Sequence, residues 1–331
     1  MGRTTISQLK EPEMQGKELV EMFAIRKIEL KIKESDGKAF LSLELGDATG
    51  RMDGVLWNEA EEAYGQLSQG DVAQAKVTVG KYRDSVQLRV DNIRRCRREE
   101  YQLTDFLASS ALSRSELEAE IRSESAGVKD PQLTRLLKLF WDDQDFLDKF
   151  LEAPAAKLWH HAWVGGLAEH SISVCRLARA ALRNYQLLDP DMLIAGCLLH
   201  DIGKVREFRV STMIDYSDEG RLMGHLVLGD QMLVERVARI RDFSPEKARR
   251  LHHILLSHHG EKEKGSPVVP STLEALIVHH CDFMDSHATA FQRIIRREEG
   301  KQRRWSEYVN LIDRYIYLGD GDGPSDDLKL F

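Results

Sequence analysis

The chain has 331 residues, of which 42% are apolar and 31% charged, a composition too apolar for a disordered protein and long enough for about two domains. The formal net charge is −7, so the molecule as a whole is not a basic nucleic-acid coat. No apolar run approaches the roughly 18–20 residues of a bilayer span, Met1–Lys17 is polar, and Cys96, Cys175, Cys197 and Cys281 form no CxxC pair, so a cytoplasmic protein without a membrane partner is expected.

Residues 18–95 read as strands. Val20–Ile32 is apolar with interspersed charge, and Asp36-Gly37 is a hairpin signal. Phe40–Leu45 alternates, with Leu41, Leu43 and Leu45 on one side. Asp47-Ala48-Thr49-Gly50 predicts a turn and Arg51–Trp57 a further strand. Asn58 is placed to cap a short helix to about Leu67. Val72–Val79 and Ser85–Ile93 follow. Five strands with a helix after the third is the order of an OB-type barrel; a small sandwich or SH3-like barrel is the competing arrangement.

The last strands are basic. From Lys76 to Arg98 there are eight basic residues, Arg83 and Arg89 among them, against Asp84 and Asp91, a local balance of +6. Such an edge suits phosphates. Phe40, Trp57 and Tyr82 fall on or near the polar side of their strands, where bases can stack. Half-buried strand aromatics beside a solvated basic edge are the plainer alternative.

Beyond Glu99 the apolar period becomes helical. Helices are expected at Leu103–Leu112, Ser115–Ser123 with a capping box from Ser113 and Glu116, Gln132–Phe140, and Asp142–Glu152. Helical structure is expected to continue to about Tyr317, followed by a flexible Gly/Asp-rich stretch, Gly319–Asp327.

Histidine is distributed unevenly: all 12 lie between His160 and His287. His170 follows Gly165-Gly166 into a helix running to about Leu182. His200-Asp201 ends the apolar helix Met192–Leu199. His225 follows Gly224 at a helix start. His258-His259 ends the helix after Ser244-Pro245, with Gly260 beyond it. Asp282 sits on a helix begun by Ser271 with Glu274 as its capping-box partner. Mixed imidazole and carboxylate donors without thiolate suit a catalytic metal site rather than a closed structural zinc site. Six or seven donors exceed what one open-site ion takes, but suit two ions about 3.5–4 Å apart that clamp a phosphoryl group. His160, His252, His253, His279 and His287 read as supporting residues. The Gly165-Gly166 pair reads as an anion site or a close approach between helices. Arg293, Arg296, Arg297, Lys301, Arg303 and Arg304 form a second basic stretch, either a solvated face or a strand-guiding surface.

The ordered set His…His-Asp…His…His-His…Asp resembles the HD superfamily of metal-dependent phosphohydrolases, with Lys204 in the His-Asp-x-x-Lys position. Longer strings narrow the resemblance. His160-His161-Ala162, Gly165-Gly166-Leu167, Glu169-His170, Gly224-His225, Ser257-His258-His259-Gly260, Gly265-Ser266-Pro267, Glu274-Ala275, His280, Asp282 and Asp285 are similar to the YhaM family of bacterial 3′→5′ exoribonucleases, which carry an OB-type domain before the HD domain. The resemblance implies one metal on His170, His200, Asp201 and Asp282, and a second on His225, His258 and His259 with Asp201 bridging. It gives Asp201 and Lys204 catalytic roles, and His161 and Asp285 substrate or supporting roles. Some HD proteins add a Glu four residues before the first His; Gly166 stands there, so no third metal is expected on that ground.

The expectation is therefore a multidomain α+β protein. A tail (1–17) precedes an OB-like five-stranded barrel (18–98), a helical connector (99–155), an all-α HD domain (156–310) and a second tail (311–331). The resemblance implies a metal-dependent 3′→5′ exonuclease acting on single-stranded RNA, with single-stranded DNA also open, and releasing 5′-mononucleotides. Phe40, Trp57, Tyr82 and Arg89 would bind the strand. Two divalent ions are expected, Mn²⁺ by resemblance, with Fe²⁺, Co²⁺ and Mg²⁺ compatible with the donors. A homo-oligomer is plausible by the same resemblance. Two alternatives stay open at this point: an HD phosphohydrolase of small nucleotides or cyclic dinucleotides, and a non-catalytic single-strand-binding protein.

Overall fold

The computed structural model describes residues 3–82, 85–298 and 303–319. Arg83, Asp84, Lys301 and the stretch beyond Gly319 lie outside the described residues. The chain divides into two compact units, residues 1–109 with 209–215, and residues 110–208 with 216–331.

The first unit is a closed barrel with strand order β1-β2-β3-β5-β4. Its strands are β1 (Glu18–Ile32), β2 (Ala39–Asp47), β3 (Gly50–Leu56), β4 (Val72–Tyr82) and β5 (Ser85–Arg95). Only β3 and β5 pair in parallel. Leu41, Leu43 and Leu45 fill the interior with Phe23, Ile25, Val77, Val79, Leu88 and Val90, as the period-two alternation requires. Irregular steps between Ile25 and Lys27 and between Lys76 and Val77 bend the strands so that the sheet can close. The Asp47–Gly50 turn is held by its own side chain: Asp47 Oδ1 accepts from Thr49 N at 2.7 Å and Gly50 N at 3.1 Å. Asp47 Oδ2 accepts from Ile6 N at 2.7 Å, which docks the short helix α1 (Ile6–Leu9) onto the barrel. The helix after β3 is α2 (Ala60–Gln66). Its cap differs from expectation: Glu59, in a left-handed conformation (φ 55°), stands at the N-cap without a side-chain bond, and Asn58 lies outside the helix.

The expected helix Leu103–Leu112 is absent; only Leu103–Asp105 forms a 3-10 turn. The barrel claims the backbone groups that a helix would need. Asp105 O accepts from Ala48 N at 3.0 Å, and Phe106 O accepts from the buried Arg26 Nη2 at 2.5 Å. Phe106 itself packs in a small cluster with Ala24, Val72 and Cys96. Arg26 also donates to Thr212 O, and Thr212 Oγ1 donates to Gly70 O at 2.7 Å, so residues 209–215 belong to this unit.

The second unit is helical. It comprises α3 (Arg114–Ala126), α4 (Pro131–Trp141), α5 (Gln144–Glu152), α6 (Gly166–Leu182), α7 (Pro190–Leu199), α8 (Lys204–Glu207), α9 (Asp218–Val237), α10 (Pro245–Ser257) and α11 (Leu273–Glu298). One apolar core runs through these helices, and α7 lies at its centre with every residue from Met192 to Leu199 buried. A helix apolar on all sides has no solvent face to present, and it can anchor a site rigidly at its end. The capping box of α3 forms as expected, with Ser113 and Glu116 exchanging bonds. The one expected on α11 does not. Thr272 Oγ1 accepts from Ala275 N at 3.2 Å, while Glu274 accepts from Asp189 N at 3.0 Å and pairs with Arg250 at 3.1 Å.

Helix does not run unbroken to Tyr317. Residues 153–165 are irregular, β6 (Phe208–Val210) and β7 (Ile214–Tyr216) form a hairpin, and after α11 the chain makes bridges Trp305↔Tyr317 and Val309↔Arg314. Both paired segments are rich in aromatic and β-branched residues, which fit a pleated surface better than a helical stripe. No helix among the described residues is long and apolar enough to cross a membrane.

Candidate metal centre

Every donor but Asp282 stands near the start, the end or a break of a helix. His170 lies in the second turn of α6. His200 is the C-cap of α7 and Asp201 the next residue. Gly224 (φ 72°, ψ 159°) breaks α9, and His225 restarts it. His258 is the C-cap of α10, and Gly260 (φ 82°) turns the chain just beyond. A Cβ at Gly260 would lie 2.2 Å from His279 Cε1, so only glycine lets the loop close on that ring. Asp282 and Asp285 stand three residues apart on α11, on one side of the helix.

These residues converge. His170 Nε2 lies 3.2 Å from His200 Nε2, 3.1 Å from Asp282 Oδ1 and 3.5 Å from Asp201 Oδ2. His200 Nε2 lies 3.3 Å from Asp201 Oδ2. On the other side, His225 Nε2 lies 3.1 Å from His259 Nε2, and His225 and His258 Nε2 lie 3.5 and 3.4 Å from Asp201 Oδ1. The two oxygens of one buried carboxylate thus face different imidazoles, and His200 and His258 link the two sides, their donor atoms lying within 4.8 Å of each other and of Asp282.

The far side of each ring is tied down. His170 Nδ1 bonds Asp285 Oδ2 at 2.6 Å, His200 Nδ1 bonds Cys197 O at 2.7 Å, and His258 Nδ1 bonds Leu255 O at 2.8 Å. His225 Nδ1 bonds Glu207 Oε1 at 3.0 Å, and His259 Nδ1 bonds Lys264 O at 3.0 Å. With an acceptor at every Nδ1, the proton of a neutral ring sits there and the Nε2 lone pair points inward. The Nε2 lone pairs of neutral His225 and His259, 3.1 Å apart, repel unless a cation lies between them. Asp201 Oδ1 is also buried without a hydrogen-bond partner, a costly state that a metal ion removes. Imidazole and carboxylate donors without thiolate suit Mn²⁺, Fe²⁺, Co²⁺ or Zn²⁺, so the residues fit divalent ions.

The electrostatics agree. Burial raises the Asp201 carboxyl, but Lys204 and His200 beside it outweigh that and hold it well below the usual carboxylate range. Lys204 Nζ is 2.5 Å from Asp201 Oδ2; burial pulls this ammonium down, and Asp201 and Asp282 more than restore it. Burial, with His258 and His225 alongside, pushes His259 down to about 3. Burial lowers His170 too, but Asp282 and Asp285 hold it up at about 9, and a metal ion bound there must displace that proton.

His161 and Asp285 stand behind His170. His161 Nε2 lies 2.9 Å from Asp285 Oδ2, which makes Asp285 a shared acceptor that orients both rings; Ser173 Oγ donates to its other oxygen. His161 has φ 41°, a left-handed conformation that its neighbours enforce. A Cβ on Gly166 would lie 1.9 Å from His161 O and one on Gly165 (φ 81°) 2.9 Å from Leu117 Cδ1 of α3, so the glycine pair serves two close approaches, one to this loop and one between the start of α6 and α3.

Several histidines expected to support do so. His252 pairs with Asp230 at 2.6 Å, His253 Nε2 accepts from Ser271 N at 2.8 Å, His279 Nδ1 meets His258 O at 2.8 Å, and His287 Nδ1 meets Phe283 O at 2.9 Å. His160 does not follow that pattern. Both its ring nitrogens are buried without a partner, and it joins His170 and Asp282 in a group whose donor atoms lie within 4.8 Å of one another. Its place directly before His161 was the one available signal. Glu207, which holds His225, carried no signal, because nothing marks one glutamate of a charged segment as an inward one.

On the barrel unit, Phe40 and Trp57 come together across β2 and β3, with ring centroids 4.8 Å apart, Trp57 46% exposed and Lys33 Nζ 5.6 Å from its ring. Arg89 lies on β5 opposite Val55 of β3, and Tyr82 is at the β4–β5 tip, 58% exposed. The basic edge is less bare than its composition suggests. Lys76 pairs with Glu18 at 3.3 Å, Arg89 with Asp91 at 3.1 Å, Arg94 with Glu100 and Arg95 with Asp71, both at 2.8 Å. Pairs exposed on both sides, such as Lys76–Glu18, contribute little stability.

Comparison with known proteins adds to this geometry. Residues 167–317 match the HD domain family model, and residues 24–95 match the OB-fold nucleic acid binding domain. A protein of Listeria welshimeri named 3′-5′ exoribonuclease YhaM is 32% identical over 300 residues, spanning 89% of this chain and 93% of its own. Its namesake in Shouchella clausii is 31% identical over 297 residues, spanning 89% and 92%. Among solved structures, the HD domain of Listeria monocytogenes phosphodiesterase PgpH is similar at 19% identity and a TM-score of 0.30, covering 48% of this chain and 83% of that one.

Proposed function

Because the chain belongs to the YhaM family of 3′-5′ exoribonucleases, we propose that it is a metal-dependent hydrolase that shortens single-stranded RNA from its 3′ end. The observation that carries the reading is Asp201, whose two oxygens face different imidazoles with inward Nε2 atoms. In this reading His170, His200, Asp201 and Asp282 hold one ion, and His225, His258, His259 and Asp201 a second. When bound, two divalent ions lower the pKa of water and offset charge on a phosphoryl group. Mn²⁺ is the proposed native ion.

The chain's own residues supply orientation. Asp285, Glu207, Cys197 O, Leu255 O and Lys264 O fix the five rings before substrate arrives, so little reorganisation is needed during reaction. Lys204 keeps a positive charge beside Asp201, and in this reading it meets a substrate phosphate or the attacking water. Release of a 5′-mononucleotide breaks the P–O3′ bond of the preceding nucleotide, so the phosphate leaves with the terminal residue and the upstream chain gains a 3′ hydroxyl. Phe40 and Trp57 offer stacking faces for upstream bases; Arg89 lies on the neighbouring β5 opposite Val55, and Tyr82 stands farther off, at the β4–β5 tip. Functionally we divide the chain into an OB-like strand-holding domain (18–98), a helical connector (99–155) and the HD domain (156–310). We place the protein in the cytoplasm, where its four buried free cysteines stay reduced.

The test is a time course on 5′-labelled single-stranded RNA and DNA with Mn²⁺, Mg²⁺ or chelator. The expected result is a ladder shortening from the 3′ end, abolished by chelator, with mononucleotide product. Cleavage restricted to mononucleotides, or internal cuts without a ladder, would overturn the reading.

A further inference from the structure

The loop that carries His160 and His161 has a second neighbour. A cleft of about 340 Å³ opens beside it, walled by Leu158, Trp159, Arg293, Arg297, Glu307 and Tyr308 among other residues. Trp159 is half-buried with its ring edge-on to His287, and Tyr308 is 44% exposed. Arg293 Nη1 donates to Leu158 O at 2.9 Å and so fixes this wall against α11. Two guanidiniums face the cleft against one carboxylate, Glu307, which Arg303 engages at 3.4 Å. Arg297 Nε touches Glu298 at 3.3 Å, and its side chain is largely in solvent.

The cleft lies in line with the metal centre. On α11, Asp282, Asp285, Thr289, Arg293 and Arg297 recur at three- or four-residue steps and share one face. Thr289 Oγ1 lies 3.3 Å from His161 Nε2, between the two ends of that row. From Asp285 the helix rises about 12 Å to Arg293 and about 18 Å to Arg297. At roughly 3.4 Å per stacked nucleotide, that reaches about four to five nucleotides from the chemistry.

We propose that this cleft is the subsite for the RNA segment on the 5′ side of the scissile bond, with a phosphate on Arg297 and bases against Trp159 and Tyr308. The strand's direction rests on the exonuclease reading above; the binding does not. Phosphates and flat rings are the two features that single-stranded nucleic acid offers irrespective of sequence, and the cleft presents a counterpart for each.

The test uses the full-length, metal-loaded protein and a 5′-fluorescein RNA decamer with phosphorothioate linkages, read by anisotropy across a salt series. Arg297→Gln should make the slope of log affinity against log salt shallower by about 0.7, as expected for one lost phosphate contact. Tyr308→Ala should raise Kd roughly fivefold or more. Arg296→Gln removes the same charge from the same turn outside the cleft, and should change neither. Wild-type behaviour in both cleft variants overturns the proposal, as does an equal loss in Arg296→Gln. Should Tyr308→Ala melt early, the exposed Arg297→Gln decides alone. Cleft-dependent binding by a wild-type protein that fails to shorten unmodified RNA supports the cleft and overturns the exonuclease reading.

Discussion

Asp285→Asn should weaken one metal site and spare the other. The carboxylate is buried, and its Oδ2 lies 2.6 Å from His170 Nδ1 and 2.9 Å from His161 Nε2. An asparagine carbonyl still accepts the Nδ1 proton, so the ring keeps its place, but the negative charge that strengthens its Nε2 lone pair is gone. Loss of such an outer partner costs about 10–100-fold in metal affinity, or about 1.4–2.7 kcal/mol. The loss should fall on the ion assigned above to His170, His200, Asp201 and Asp282. His225, His258 and His259 take their Nδ1 support from Glu207 and two backbone carbonyls, none of which touches Asp285. Mn²⁺ titration of chelator-treated protein, followed by competition with a chromophoric chelator, should show one of two binding steps moved. Glu207→Gln should move the other step. Equal displacement of both steps, or of neither, would refute the assignment of separate supports.

Three further outcomes follow from the geometry. Lys204→Gln should lower kcat by about 10²–10³-fold while elemental analysis still finds wild-type metal content, as expected for removal of one charge aimed at the reacting phosphate; loss of the metals would place Lys204 in the scaffold instead. Gly166→Ala should cost about 1–3 kcal/mol in urea unfolding, because its Cβ meets His161 O at 1.9 Å and backbone must move; an unchanged midpoint would show that the loop is not pinned there. Trp57→Ala should weaken single-stranded RNA binding by about 1–3 kcal/mol with little change in Tm, given a ring 46% exposed; unchanged affinity would leave Phe40 and Trp57 as ordinary surface aromatics.

Much of this arrangement was legible because helix punctuation is local. Gly224 before His225, Gly260 after His258-His259 and Asp201 after an all-apolar helix mark the places where a chain stops being helical and can aim a donor inward. The alternation Leu41, Leu43, Leu45 gave the barrel interior for the same reason: a period is a property of neighbours. What stayed hidden depends on distant partners. Leu103–Leu112 has helical composition, yet its carbonyls are claimed by Ala48 N and Arg26, far away in sequence. Glu274 sits at a capping-box spacing but serves Asp189 N and Arg250. His160 looked like its supporting neighbours, and only the packed loop shows that neither of its nitrogens has a partner.

The helix α11 imposes a constraint of another kind. It is one continuous rod from Leu273 to Glu298, with Asp282 toward one end and Arg297 at the other. A single residue inserted between Asp285 and Arg293 would swing everything beyond it by about 100° and push it about 1.5 Å along the axis. The arginines would then leave the row that starts at the carboxylates, although no residue had been substituted. The β1–β2 turn around Gly37, by contrast, can grow without displacing anything but itself. Length can therefore vary at the β1–β2 turn, whereas between Asp285 and Arg293 the residue count is fixed.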